Sequence, residues 1–276
     1  MRIDSHQHFW DYHPVKHSWI DNAMEVLRRD FMPDEFQDVL MEKNMTGCVA
    51  VQAEQSEAET SFLLNVAAKH TFIKGVVGWV DLCEPKVAER LAYFATDSAF
   101  KGVRHILQSE PDDFMLGKAF CNGIAQLEQF NLSYDILVFP NQLKNTVKLV
   151  ERFPEQRFVL DHLAKPYIKD GKISLWKTDI EILAKHKNVY CKVSGMVTEA
   201  DVLNWKENDF KPYMDVVFEA FGTNRIMFGS DWPVCLLAGD YSRVLSLTEN
   251  YIRQFTNEEH HMIMGKNATD FYALDT

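Results

Sequence analysis

Two rhythms of apolar residues run along the chain. Short, almost continuously apolar runs alternate with longer stretches in which apolar positions recur every three or four residues. The first run, 1–10 (Met-Arg-Ile-Asp-Ser-His-Gln-His-Phe-Trp), predicts a strand, and runs at 46–54, 72–81, 100–107, 132–139, 157–163, 189–194 and 225–230 predict seven more. Helical spacing fills the gaps. Pro33 opens a helix through Phe36, Val39 and Leu40, and Ser56 with Glu59 reads as a capping box ahead of Phe62, Leu63 and Val66. Pro85 begins a helix through Val87, Leu91 and Phe94, and further helices carry Phe120, Ile124 and Leu127, then Leu143, Val147 and Val150, then Trp176, Ile180 and Leu183. Pro212 is expected to open the next, and the C-terminal region is helical through Val244, Tyr251 and Phe255, with Thr256 and Glu259 as a second capping box. The stretch 9–31 fits neither rhythm. It is a long loop rich in aromatic residues and histidine, and loops of that length in a compact domain often belong to a site.

Eight strand-then-helix units in 276 residues are the count and length of a (β/α)8 TIM-like barrel, here a single α/β domain over 1–276. Buried strands separated by amphipathic helices call for a parallel sheet. An open doubly wound sheet is the rival architecture, but no Gly-x-Gly-x-x-Gly or P-loop follows any strand.

Composition narrows the partners. A formal net charge of −11 argues against nucleic acid and anionic membranes, leaving a small molecule as the expected partner, with assembly into a homo-oligomer compatible. The five cysteines, Cys48, Cys83, Cys121, Cys191 and Cys235, are widely spaced and form no Cys-x-x-Cys pair, which suits a reducing compartment. No apolar run is long enough to span a bilayer, and the chain opens on its strand without a signal-peptide core, so a cytoplasmic location is expected.

In a barrel, chemistry sits where strands end. These strands end in His6 and His8; near Gln52 and Glu54; at Trp79 and Asp81; at Arg104-His105; at Asp161-His162; at Lys192 and Ser194; and at Gly229-Ser230-Asp231-Trp232-Pro233. Side chains two apart in a strand share a face, so His6 and His8 point together, as does Asp4. The same parity puts His162 with Phe158 and Leu160, and Asp231 with Met227 and Gly229. On the fourth strand, Arg104 with the small Gly102 is the expected inward set, leaving His105 behind it. His70, His186, His260 and His261 fall on predicted helices and read as surface. Singly, each candidate is a satisfied polar residue as easily as a functional one. Together, His6, His8, His162 and Asp231 suit one divalent cation, zinc foremost, which takes imidazole nitrogen and carboxylate oxygen and acidifies bound water to a pKa of about 7. The same set also works without metal, Asp231 deprotonating water and Arg104 with the histidines stabilising the oxyanion. No lysine is expected inward at the end of the fourth strand, which argues against a carbamate-bridged two-metal centre.

These motifs resemble the amidohydrolase superfamily, and within it the lactonase branch of the amidohydrolase-2 type. The resemblance rests on Ile-Asp-Ser-His-Gln-His-Phe-Trp (3–10), Arg-Asp-Phe-Met-Pro (29–33) and Lys-Gly-Val-Arg-His-Ile-Leu-Gln (101–108) with Glu-Pro-Asp-Asp (110–113). It continues through Arg-Phe-Val-Leu-Asp-His-Leu-Ala-Lys-Pro (157–166), Tyr-Cys-Lys-Val-Ser-Gly-Met-Val-Thr-Glu-Ala (190–200) and Met-Phe-Gly-Ser-Asp-Trp-Pro-Val-Cys (227–235). It implies a distorted barrel that hydrolyses a sugar-acid 1,4-lactone of the L-fucono or L-rhamnono type to the free aldonic acid. It implies metal or substrate-carbonyl roles for His6, His8 and His162 and the general base at Asp231. Arg104 and His105 match the branch's fourth-strand polar pair, with His105 an expected substrate contact, and the segment holding Tyr134 is implied to line the pocket; Gln52, at the end of the second strand, is a further expected substrate contact. Trp10, Tyr12, Trp19 and Trp232 either wall the sugar or pack the loop itself. A metal-dependent decarboxylase or hydrolase of an aromatic or dicarboxylic acid is the alternative on the same scaffold.

Overall fold

A computed structural model describes residues 1–275. Among these, eight parallel strands run in the order β1 to β8: β1 (Ile3–Gln7), β2 (Gly47–Val51), β3 (Ile73–Gly78), β4 (Phe100–His105), β5 (Ser133–Ile136), β6 (Phe158–Leu160), β7 (Val189–Val193) and β8 (Ile226–Phe228). Helices α1 (Pro33–Glu42), α2 (Glu57–Ala67), α3 (Val87–Phe94), α4 (Lys118–Leu127), α5 (Leu143–Arg152), α6 (Ser174–Leu183), α7 (Glu207–Phe221) and α8 (Tyr241–Ile252) follow the strands in turn. This is the (β/α)8 barrel expected from the two apolar rhythms.

The apolar residues divide into two layers. Ile3, Val49, Val51, Val77, Val159 and Met227 point to the axis, and the larger ring formed by Phe36, Phe94, Phe120, Phe158, Leu160 and their neighbours packs strands against helices. Small β-branched residues fit the crowded axis, whereas bulkier side chains fill the wider outer shell. Beyond α8 the chain forms α9 (Asn257–His261), a π-helical turn (Met262–Lys266) and α10 (Asn267–Tyr272). Ala268, Phe271, Tyr272 and Leu274 join the inner layer, so α10 plugs the barrel at the start of its strands.

The seam between β8 and β1 closes with few ladder bonds. A single parallel bridge joins Gln7 to Trp232, with Asp231 N–H donating to the His6 carbonyl at 2.8 Å and His8 N–H to the Trp232 carbonyl at 2.7 Å. Side chains complete it: Ser5 Oγ donates to the Phe228 carbonyl at 2.7 Å, and Asp4 Oδ1 accepts from Ser230 N–H at 2.9 Å. Buried backbone donors must find partners, and Asp4 supplies one where the ladder lapses. Burial pushes the Asp4 carboxyl up to about 6, against the hydrogen bonds from Ser230.

Three local expectations are corrected. Helix α7 begins at Glu207, not Pro212, because Asp209 Oδ2 accepts from Lys206 N–H at 2.8 Å and caps the earlier start; Pro212 then sits inside the helix. The Ser56 box is half made: Ser56 Oγ accepts from Glu59 N–H at 3.1 Å, but the Glu59 carboxylate turns back to Ala53 N–H at 2.8 Å. The Thr256–Glu259 box forms in both directions, at 3.3 and 2.8 Å. β6 ends earlier than expected, at Leu160, and this shapes the site.

Candidate active site

β6 ends at Leu160. Its Phe158 and Leu160 belong to the outer layer and Val159 to the inner one, so parity carries Asp161, not His162, to the axis. His162 nevertheless reaches the barrel mouth, because the backbone changes hand. His162, Leu163, Ala164 and Lys165 have φ of 52, 54, 58 and 49°, four successive non-glycine residues in the left-handed region. Each costs roughly 1–2 kcal/mol relative to the right-handed form. The turn is held by Lys165 N–H donating to the His162 carbonyl at 2.7 Å, Trp176 Nε1 donating to the Leu163 carbonyl at 2.7 Å, and complete burial of Leu163 and Ala164. Gly195 lies against the His162 ring with φ of 59°, and a Cβ there would stand 2.3 Å from His162 Nδ1. Strain maintained by this much surrounding structure is a marker of function.

The imidazoles of His6, His8 and His162 converge on one carboxylate oxygen. Asp231 Oδ1 lies 3.3 Å from His8 Nε2, 3.8 Å from His6 Nε2 and 3.9 Å from His162 Nε2. His8 Nδ1 faces the Val51 carbonyl at 2.7 Å, so in a neutral ring it carries the proton and Nε2 turns a lone pair to the carboxylate. Two acceptors at 3.3 Å are satisfied only by a cation or proton between them. Donor atoms of His6, His8 and Asp231 lie within 4.8 Å of one another, and ligands on a tetrahedral ion with bonds of roughly 2.0–2.2 Å stand a little over 3 Å apart. The residues therefore fit a divalent cation. Two further clusters fit one less well: in His6, Asp161 and His162 the carboxylate is already held by Lys192 and Arg104, and in His17, Glu54 and Glu59 the His17 Nδ1 accepts from His13 N–H at 3.1 Å, which puts the neutral ring's proton on Nε2.

Under this centre lies a fully buried charge network that the sequence reading did not assign to the site. Lys192 Nζ lies 2.5 Å from Asp135 Oδ2, 3.0 Å from Asp161 Oδ1 and 3.2 Å from His6 Nδ1, and Tyr272 OH donates to Asp135 at 2.7 Å. An inward lysine thus exists, on β7 and locked between two carboxylates. Arg104 faces the axis, as preferred from Gly102. Its Nη1 meets Asp161 Oδ2 at 3.2 Å and His6 Nε2 at 3.3 Å, and its Nη2 donates to the Gln52 carbonyl. Burial opposes ionisation of Asp161, yet Lys192, His6 and Arg104 together hold its carboxyl well below the usual range. Burial pushes Asp135 up to about 6 against the pull of Lys192. Burial also pushes His6 and His162 well below the ordinary imidazole value. Asp231 is buried too, but the neighbouring His162 and the His8 contact outweigh that and keep its carboxyl below the usual value.

The signal for these residues was alternation. Val159 inward puts Asp161 inward, Ser133 inward does the same for Asp135, and a lysine between Cys191 and Val193 on a buried strand has only the barrel axis to enter. Ser194, at the end of β7, meets His162 Nδ1 at 2.9 Å.

A cavity of about 530 Å³ opens above the cluster, lined by His8, Arg104, His162, Lys165, Glu199 and Asp231 with an apolar side including Trp19, Met24 and Leu137. Several expected substrate contacts lie elsewhere. His105 is on the outer face of β4, where it stacks on Phe114 and bonds Glu110 at 3.1 Å, because the strand stays regular through that residue. Trp232 stacks on Phe36 with centroids 4.5 Å apart, and Trp10 packs on Phe31 at 5.4 Å while its Nε1 donates to the Arg29 carbonyl. Both fill the core under the first loop rather than wall the cavity. Tyr134 is outward on β5 between Phe120 and Phe158. Gln52 lies beneath the cavity, its Nε2 donating to the Arg104 carbonyl at 3.2 Å. Of the four histidines expected on surface helices, His260 and His261 lie on α9, whereas His70 and His186 follow α2 and α6; only His261 is exposed and the other three are half-buried, all four outside the cavity lining.

The amidohydrolase family model matches residues 3–274. The chain belongs to that family. This amidohydrolase is 38% identical to an L-fucono-1,5-lactonase of Burkholderia multivorans, over 99% of its own length and 96% of the relative's. It is 35% identical to an L-fucono-1,5-lactonase of Burkholderia ambifaria, over 100% and 96%. A solved amidohydrolase from Burkholderia multivorans with bound zinc superposes with a TM-score of 0.97 at 38% identity, each chain wholly covered. Among the described residues no helix of the amidohydrolase is long and apolar enough to cross a membrane.

Proposed function

We propose that this amidohydrolase hydrolyses a sugar-acid lactone of the L-fucono type to the free aldonic acid at the His6, His8, His162 and Asp231 centre. One observation carries the reading: a carboxylate ringed by three imidazoles forms the floor of an open cavity at the C-terminal mouth of the barrel. The full-length relatives carry the 1,5-lactone in their names, whereas the motifs suggested the 1,4 form. Our proposal takes the six-membered ring.

Asp231, held as a carboxylate, accepts a proton from water. The water oxygen bonds to the lactone carbonyl carbon, and the carbonyl oxygen takes up the negative charge beside the imidazoles. When the carbonyl re-forms, the bond from that carbon to the ring oxygen breaks, and the ring oxygen leaves as a hydroxyl with the proton Asp231 returns. A divalent cation held by His6, His8 and Asp231, with His162 beside them and zinc on the nature of these donors, would supply Lewis acidity to the carbonyl and acidity to the water. Arg104 is a positioning residue, its Nη donors directed at Asp161, His6 and the Gln52 carbonyl. Ser194 and the left-handed turn orient His162. The cytoplasm remains our proposed location, on the unpaired cysteines.

The test offers purified protein a panel of aldonolactones, including both ring sizes of L-fuconolactone, with a pH indicator, with and without chelator. Acid release from the 1,5-lactone above the spontaneous rate is expected. No hydrolysis of any lactone, even with zinc or manganese added, would sink the reading, and carbon dioxide released from an aromatic acid would favour the decarboxylase instead.

A further inference from the structure

Lys165 and Glu199 form an ion pair of 3.1 Å on the cavity wall, their side chains 19% and 18% exposed. Neither belongs to the ring around Asp231. Lys165 is nevertheless built into the same device as His162. It ends the left-handed turn, and residues three apart in so tight a turn lie on one side. His162 and Lys165 accordingly both line the cavity, while Leu163 and Ala164 between them are buried in the core. Four costly backbone conformations thus deliver two polar side chains to one place. The other cation in the lining, Arg104, is committed to Asp161, His6 and the Gln52 carbonyl. Among the described residues of the lining, Lys165 is the cation that a ligand can engage, and its charge is near enough to bear on Asp231 and His162.

The chemistry gives such a cation a specific job. The lactone is neutral and the aldonic acid it becomes is an anion, so a lysine in the same cavity as Asp231 separates product from substrate by charge. Left alone it would also retain the product. We propose that Lys165 binds the carboxylate of the aldonate product and that Glu199 competes for the same ammonium, so that product leaves readily. This rests on the lactonase reading of the site and adds to it a charge-balanced product subsite.

Product inhibition tests the idea. L-fuconate is titrated against hydrolysis of L-fucono-1,5-lactone by the wild type and by Lys165→Met, Lys165→Arg and Glu199→Gln. Lys165→Met is expected to raise the product Ki by about tenfold, with lactone KM rising less, and Lys165→Arg to restore most of the product affinity. Glu199→Gln is expected to lower the Ki several-fold and to reduce kcat as release slows, a tightening that loss of structure would not cause. A Ki unmoved in Lys165→Met, or weaker product binding in Glu199→Gln, overturns the subsite. Should Lys165→Met not fold, Glu199→Gln decides alone. A wild type that hydrolyses no lactone defeats the underlying reading before any variant is compared.

Discussion

A charged residue followed by histidine closes β4 and directly follows β6, Arg104-His105 and Asp161-His162, and the two histidines meet opposite fates. β4 stays regular through His105, so Arg104 enters the barrel and His105 stacks on Phe114 outside it. β6 stops at Leu160; Asp161 enters by parity, and the left-handed turn then brings His162 to the same side. Equivalent dipeptides on equivalent strands thus give one site residue in one case and two in the other. What differs is the hand of the backbone just after the strand, and that is set by distant contacts from Trp176, Ser194 and Gly195.

The largest effect that would break this comparison comes from the histidines themselves. His162→Asn should lower kcat/KM for the lactone by about 10²–10⁴-fold, and His105→Asn by less than about threefold, in parallel steady-state assays. Equal losses would show that the hand of the turn does not decide function. Next comes Asp161, the charged residue just after β6. Asp161→Ala leaves Arg104 and Lys192 short of a buried partner, and urea unfolding should show a loss of about 3–5 kcal/mol. Gly195→Ala should follow, because its Cβ needs the space of His162 Nδ1 at a backbone φ of 59°. Roughly tenfold lower kcat/KM with about 1–3 kcal/mol lost in unfolding is expected, and a silent variant would mean the turn is not held from β7.

The smallest effect separates a buried acid whose cations outweigh burial from one where burial wins. Asp161 is held low by Lys192, His6 and Arg104, whereas Glu59 is pushed up to about 7 by burial, with Glu54 adding to the rise. Folded Glu59 therefore binds its proton more tightly than unfolded Glu59. The stabilisation is full below the unfolded value of about 4.5 and is lost as pH rises through about 7. Unfolding free energy measured across that window should fall by about 1–3 kcal/mol more in the wild type than in Glu59→Gln. A steeper slope in the variant would reverse the assignment.

The fold was legible because strand and helix periods differ and repeat eight times. The His6, His8 and Asp231 positions were legible because they sit at or just beyond the ends of strands β1 and β8. His162 was found through a parity that the structure does not obey, since no glycine marks the left-handed turn in His162-Leu163-Ala164-Lys165. Asp135, Asp161 and Lys192 were readable in principle but needed the inner and outer layers to be told apart, valine against phenylalanine and leucine. Trp10 and Trp232 suited a sugar wall and loop packing equally, and here the packing takes them; Tyr134, implied by the family resemblance to line the pocket, packs outward between Phe120 and Phe158.

The most direct test of the central claim is kcat/KM for L-fucono-1,5-lactone in the wild type and Asp231→Asn, measured on folded protein at matched zinc content. A fall of about 10²–10⁴-fold is predicted for loss of the base that the three imidazoles surround. Wild-type turnover in Asp231→Asn would contradict it.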